Sequence, residues 1–558
     1  MTRFKPDRRT PGRGFVIGFI PALIAAIVVN PSRSYAKPPT LTDVFPPGAA
    51  RGHTVAVNVT GTFDHWPAKV WTEGRGVEIH AEKEKGKLQV VVADDAPPGL
   101  RWVRLYDEEG VTALRPFVIG MLPETVEAEP NDDPKAPQRL SLTSTTVNGR
   151  LAKAGDVDGF AVNLTRGQTL VADLEAVRHL GSPMDAVLQV VSPDGFVLAQ
   201  NDDDVGRDPR IVFEAPSAGP YIVRLFAFPA TPDSSIRFAG GNAFVYRLTL
   251  TTGGFIDYAF PLAVGRDGPR AVEPIGWNIP ADARVIPITE KDSRDVFAVF
   301  HPSLAETTDV RQVAFAATVE TEPNDLARPQ AIASPIALSG RIDPPGDQDT
   351  FRLSLRKGDK RVFRVESRAL GRPLDPTLRV LDSGGKVLAD VDDAGRNSRD
   401  LERPFTADAD GEYRLMLRDI NGQGGPRFAY LLTVQEPQPD FALTLAADRF
   451  DLTPGKPTKI AVMIQRKDGF AEPLEIVAED LPAGVMAKPI TSKTGDASAR
   501  LVSMELIAGG GASPGPFRIV GRTIRDLRTS HSATAPIAGF EAKTEWPWVM
   551  FPTRDTGK

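Results

Sequence analysis

The chain has 558 residues, enough for several domains rather than one. A formal charge of −6 with scattered basic residues leaves no electrostatic footprint for nucleic acid, and the absence of cysteine excludes disulfides, thiol catalysis, zinc knuckles and iron–sulfur clusters. Apolar residues make up 41% and charged residues 25%, as in ordinary folded chains, while 49 Gly and 50 Pro predict many turns and few long helices.

Residues 1–36 read as an export signal. Arg3, Lys5, Arg8, Arg9 and Arg13 form a basic front, and "FVIGFIPALIAAIVV" (15–29) is an apolar run of signal-peptide length. Ser34 and Ala36 are the small residues that place a cut after Ala36. The other reading is an uncleaved anchor, against which stand the short span and Pro21. Arg8-Arg9 suggests twin-arginine export, but its flanking residues fit that poorly. No later stretch is apolar and long enough to span a bilayer. A secreted, periplasmic or cell-surface location is therefore expected, with no membrane span once the signal is removed.

Residues 37–121 carry "FPPGAARGHTVAVNVTG" and "LQVVVADDAPPGLRWVRLYDEEG", which predict short strands between turns. Residues 122–252 and 318–436 repeat one another through five landmarks in one order, at an offset between 190 and 193. "EAEPND" (127–132) returns as "ETEPND" (320–325). A Gly-Arg pair, expected to start a strand, precedes G-D-x-D at Gly155, Asp156 and Asp158, and again at Gly346, Asp347 and Asp349. "LGSPMDAVLQVV" (180–191) matches "LGRPLDPTLRVL" (370–381), and the hairpin tip "DGFVLAQNDDD" (194–204) matches "GGKVLADVDD" (384–393). "AGPYIVRL" (218–225) matches "DGEYRLML" (410–417). Alternation at period two and turns every 8–12 residues predict antiparallel sandwiches. Residues 253–317 open with an F-P and Gly-rich turn like those of 37–121, as a shortened relative, and 437–558 again alternates like an Ig-like sandwich.

These landmarks resemble the bacterial pre-peptidase C-terminal domain, PPC, over residues 122–252 and 318–436, and the leading segments resemble IPT/TIG-type Ig-like domains. The resemblance implies an all-β, multi-domain string of Ig-like and jelly-roll-like β-sandwiches. It also implies a non-catalytic appendage of the kind attached to secreted proteases, with calcium bound in some members and collagen-binding modules among the relatives.

Calcium takes six to eight oxygens at roughly 2.3–2.6 Å. In extended chain Glu127, Glu129 and Asn131 share one face with Asp132 adjacent, and Asp156 and Asp158 form a second pair two apart. The second unit offers Glu320, Glu322, Asn324, Asp325, Asp347 and Asp349. The resemblance implies carboxylate ligands in these two places. The alternative is a Pro-Asn-Asp β-turn with solvated acids, and composition alone leaves both open. Asp202, Asp203, Asp204, Asp392 and Asp393 at the hairpin tips are expected to be exposed loop charge rather than a further cation site.

Nothing in the sequence assembles a catalytic site. None of His53, His65, His80, His179, His301 and His531 lies in an H-E-x-x-H motif. "GASPG" (511–515) has the spacing of a nucleophile elbow around Ser513, but Pro follows the serine and a strand pattern follows that. Trp66, Trp71, Trp102 and "EWPWVMF" (545–551) are expected in cores or closing strands, with sugar or peptide binding as the alternative. The expected function is adhesion or scaffolding at the cell envelope, with an envelope or extracellular protein or polysaccharide as partner. The second reading is an accessory chain that binds polysaccharide or a collagen-like polymer for a secreted hydrolase. The third is a protease using Ser513.

Overall fold

The structure, a computed structural model, describes residues 37–141, 144–229, 231, 237–268, 270–288, 295–393, 395, 398–525 and 529–551. The expected export signal and its cut after Ala36 lie outside the described residues. Within these, regular structure is β throughout, apart from short 3₁₀ turns at Ala281–Ala283, Arg368–Leu370 and Ala497–Ala499. Among the described residues no helix is long and apolar enough to cross a membrane.

Period-two patterning produces the strands. Thr458–Lys467 buries Ile460, Val462 and Ile464 and turns the residues between them to solvent. Val245–Thr251 is buried at every position because it is covered on both faces. Tyr246, Leu248 and Leu250 face the core of their own sandwich, while Val245 packs against Val118 of the leading segment.

The repeated units share one architecture. In the first, one sheet runs Gln138–Arg139, Asp158–Leu164, Gly219–Pro229, Met184–Val191, Val197–Asn201. The facing sheet runs Arg210–Glu214, Thr169–Glu175, Val245–Thr251, Ser144–Arg150, Glu124–Val126. In the second, the corresponding sheets run Gln330–Ala331, Asp349–Leu355, Gly411–Asp419, Pro376–Leu381, Val387–Val391 and Leu401–Thr406, Lys360–Glu366, Ala429–Gln435, Ile336–Arg341, Ala317–Val319. Register agrees as well: Asp158 lies opposite Leu225 and Asp349 opposite Leu417. The Gly-Arg pairs end strands instead of starting them, at Arg150 and Arg341. A further strand follows the "GPYIVRL" landmark, and it carries Tyr246 in one unit and Tyr430 in the other.

Residues 37–121 form two four-stranded sheets around Val57, Val90, Leu105 and Phe117, and residues 253–317 form two three-stranded sheets around a smaller core. In both, an F-P step carries the chain from one sheet to the other: Asp43–Phe45 precedes Gly48–Ala50, and Phe255–Phe260 precedes Ala263–Gly265. The last segment holds two four-stranded sheets around Phe441, Ile476, Leu506 and Ile519.

The described residues form one compact unit, so the sandwiches dock instead of hanging as separate beads. The last sandwich closes on the first: Arg104 donates to Asp448 at 2.7 Å, with Arg104 fully buried. Trp548 packs at an angle against Tyr106 at 4.9 Å and edge-on against Trp71 at 6.1 Å, and Trp102 meets Phe540 at 4.9 Å. At a second junction, buried Asp257 accepts from Arg210 at 2.6 Å, Arg372 at 2.9 Å and Arg427 at 2.8 Å. Arg427 also donates to Asp204, which takes that aspartate out of the exposed-loop class.

Candidate functional site

The E-x-E-P-N-D string forms the loop between Glu124–Val126 and Gln138–Arg139. The same local bonds shape both copies. Gln138 accepts from the Ala128 amide at 2.8 Å, as Gln330 does from Thr321. Glu129 accepts from the Asn131 amide at 2.9 Å, as Glu322 does from Asn324. The entrance to the strand Asp158–Leu164 brings in the second acidic pair, with Asp156 and Asp158 both fully buried.

Two groupings result in the first unit. Oxygens of Glu129, Asp132 and Asp156 lie within 4.8 Å of one another. Glu127 instead turns inward: it accepts from the Arg150 amide at 2.7 Å and sits 2.9 Å from the Tyr246 hydroxyl. That hydroxyl is also 2.5 Å from Asp158. A single phenol proton cannot serve both carboxylates, so one of them holds a proton. Burial, reinforced by Glu127, pushes Asp158 up to about 9, and burial pushes Glu127 up to about 7.

In the second unit Glu320, Glu322 and Asp349 come within 4.8 Å of one another. Tyr430 touches Glu320 at 3.0 Å and also bonds Asp349, which burial raises to about 9. Asp325 and Asp347, expected as ligands, stand outside this grouping. Asp325 accepts from the Ala327 and Arg328 amides and pairs with the exposed Arg328 side chain at 2.8 Å. Asp347 accepts from the Asp343 and Gln348 amides. Both aspartates are committed to turns, which is the physical content of the β-turn alternative at those two positions.

Whether the donors suit a cation is tested by what they lack. Asn131 is fully buried, and neither its side-chain oxygen nor its nitrogen has a hydrogen bond. Oδ1 of Asp156 and of Asp158 are also buried without one, Lys153 Nζ stopping 3.5 Å from the former. Asn324 Oδ1 and Asp349 Oδ1 repeat the pattern in the second unit. A buried polar atom left without a partner costs about 1–3 kcal/mol. Orphaned oxygens beside gathered carboxylates fit a hard, oxygen-seeking cation.

Three participants escaped the sequence reading. Tyr246 and Tyr430 join each carboxyl pair, and the signal was present in "FVYRLTL" (244–250) and "FAYLLTV" (428–434), outside the five landmarks. Lys153 approaches Asp132 at 3.7 Å in the first unit, where the second has Pro344. Other candidates resolve differently. Ser513 is exposed on a loop that leads into the strand Gly515–Pro516, not a helix. His531 bonds Asp440 at 2.7 Å, and His179 bonds Glu175. Asp202, Asp203, Asp392 and Asp393 are exposed.

Residues 156–227 match the family described as the bacterial pre-peptidase C-terminal domain. A probable subtilase-type serine protease of Deinococcus radiodurans is 32% identical over 98 residues, which is 17% of this chain. The match spans 14% of the length of that curated relative. Among solved structures, the pre-peptidase C-terminal domain of a Bacillus anthracis collagenase is 18% identical, over 19% of this chain and 92% of its own, with a TM-score of 0.16. The Bacteroides ovatus mixed-linkage glucan utilization protein SGBP-B is 10% identical, over 71% of this chain and 74% of its own, with a TM-score of 0.13.

Proposed function

We propose that this chain works outside the cytoplasm as a non-catalytic binding and scaffolding protein whose two entrance loops each hold a calcium ion. The observation that carries the reading is the twice-repeated set of buried, unpartnered oxygens beside gathered carboxylates. Glu129, Asp132 and Asp156 with Asn131 would hold one ion, and Glu320, Glu322 and Asp349 with Asn324 the other. The ion supplies charge neutralisation and order in the entrance loop. The protein's own part is to position the donors, with Tyr246 and Tyr430 holding the inner carboxyls. Residues 318–436 are read as a second unit of the family that residues 156–227 match, on shared landmarks and shared strand order. Residues 37–121 and 253–317 are read as IPT/TIG-like. An envelope or extracellular protein or polysaccharide is the partner.

A second reading is an accessory chain for a secreted hydrolase, favoured by the partial match to the subtilase-type relative. Retention on an insoluble polymer distinguishes it from the first.

Calorimetric titration of the chain with calcium tests the ion sites. Two ions are expected, with Asp156→Ala removing one and Glu322→Ala the other. Absence of heat, together with a melting temperature indifferent to calcium and chelator, reduces both strings to turns.

A further inference from the structure

A cavity of about 480 Å³ lies where four sandwiches meet, walled by residues between 98 and 121, 146 and 257, 296 and 311, and 369 and 372. Its volume suits a small molecule, and junctions between domains are where such sites concentrate. It is separate from both entrance loops, none of whose acidic residues line it.

Most charges around the cavity are already committed. Arg247 is bound to Glu124 at 2.8 Å, Arg210 and Arg372 to Asp257, and Arg311 to Glu366 at 3.1 Å. Four groups on its wall are not. Among the described residues the Arg178 guanidinium and the Glu306 and Asp309 carboxyls have no hydrogen bond or ion pair, and His179 uses Nδ1 on Glu175 and leaves Nε2 open. One sequence neighbourhood of the first unit therefore offers two donors, and one strand entrance of the third segment offers two oxygen-bearing groups. This pairing matches a ligand with a carboxylate at one end and hydroxyls at the other.

We propose that the junction cavity binds a small hydroxylated carboxylate, an acidic monosaccharide of the uronate class. Its carboxylate lies on Arg178 and the Nε2 side of His179, and its hydroxyls lie on Glu306 and Asp309.

Electrostatics are consistent with these roles. Burial opposes a charge on His179, but Glu175 outweighs it and raises the imidazole, which favours its cationic form. Burial, with Glu175 and Asp173 adding, pushes Glu306 up to about 7. Near neutrality that carboxyl can both donate to and accept from a sugar hydroxyl. The apolar part of the wall, including Leu100, Ile256 and Leu370, suits the carbon faces of a sugar ring.

The test is calorimetry on the full chain with glucuronate, glucose and glycine, repeated on Arg178→Gln and Glu306→Gln. Glucuronate should bind at least about tenfold more tightly than glucose, and Arg178→Gln should remove that advantage. Glu306→Gln should weaken glucuronate and glucose together. Melting temperatures are read on both variants beside the affinities, because Arg178 acts electrostatically on Asp173, Glu175, Asp208 and Glu306, and Glu306 acts on His179. No binding of glucuronate at millimolar concentration overturns the proposal. So does equal binding of glucose, a preference for glycine (which would mark an ammonium site), or an unchanged affinity in Arg178→Gln. Calcium binding is read in the same samples, and its presence or absence is independent of each of these outcomes.

Discussion

Asp257 is a single carboxylate surrounded by three guanidiniums from two different sandwiches. Burial alone would raise its pKa, but Arg372, Arg210 and Arg427 outweigh it and bring the group down to about 2 from an ordinary 3.8. A carboxyl depressed on folding contributes stability that is complete above its unfolded value and is lost as pH falls through its folded value. The window is thus about pH 4 down to about pH 2, and the difference corresponds to roughly 2 kcal/mol. Thermal melts recorded across that window should show the loss in the parent chain and a flatter profile in Asp257→Asn. An identical slope in the two proteins would remove Asp257 from the account.

At the scale of paired strands, the glycines of the two Gly-Arg pairs explain why each carboxyl pair can form. Gly149 lies opposite Tyr246 across two antiparallel strands, and Gly340 opposite Tyr430. A Cβ on Gly149 would sit 2.1 Å from the Tyr246 ring and 2.5 Å from Glu127; on Gly340 it would sit 2.3 Å from Tyr430. The bare backbone lets each phenol lie flat across its neighbour and reach the buried acids. Gly149→Ala should therefore push Tyr246 off Glu127 and Asp158, destabilising the first unit by about 1–3 kcal/mol as overpacking does. Denaturant melts should show that loss, and calcium titration should show weakened binding at the site proposed for the first unit. A neutral effect on both would mean that the tyrosine has room to move.

For the whole molecule, the contact between the first and last sandwiches turns a row of modules into a closed unit. Arg104 is fully buried against Asp448, with Trp71 and Trp548 placed over its guanidinium. Burial lowers its pKa to about 10, which leaves it charged at neutral pH. Removing one member of a buried pair strands the other, at a cost of about 3–5 kcal/mol. Arg104→Ala should release the last sandwich, seen as a larger radius of gyration in small-angle scattering and earlier proteolysis before residue 440. An unchanged radius would show that the aromatic contacts hold the closure unaided.

What the sequence determined by itself was local and periodic. Alternating strands, turn chemistry and the constant offset between the two halves sufficed for an all-β fold and for two units of matching order, because each depends on residues near one another in the chain. The acidic positions could also be read, since Glu129, Asn131 and Asp132 are near neighbours. Their division into roles could not. Glu127 leaves Glu129 to join Asp158 because Tyr246, more than a hundred residues away, arrives from the opposing strand. Trp71, Trp102 and Trp548, open to a sugar-binding reading as isolated residues, meet aromatic partners across the junction once the last sandwich docks on the first, while Trp66 packs against Phe63 in its own segment. The junction cavity, to which the first unit brings Arg178 and the third segment brings Glu306, exists only after four sandwiches have packed. Tertiary structure decided these matters because burial and unpaired charge are properties of assembled surfaces, which no local stretch of chain contains.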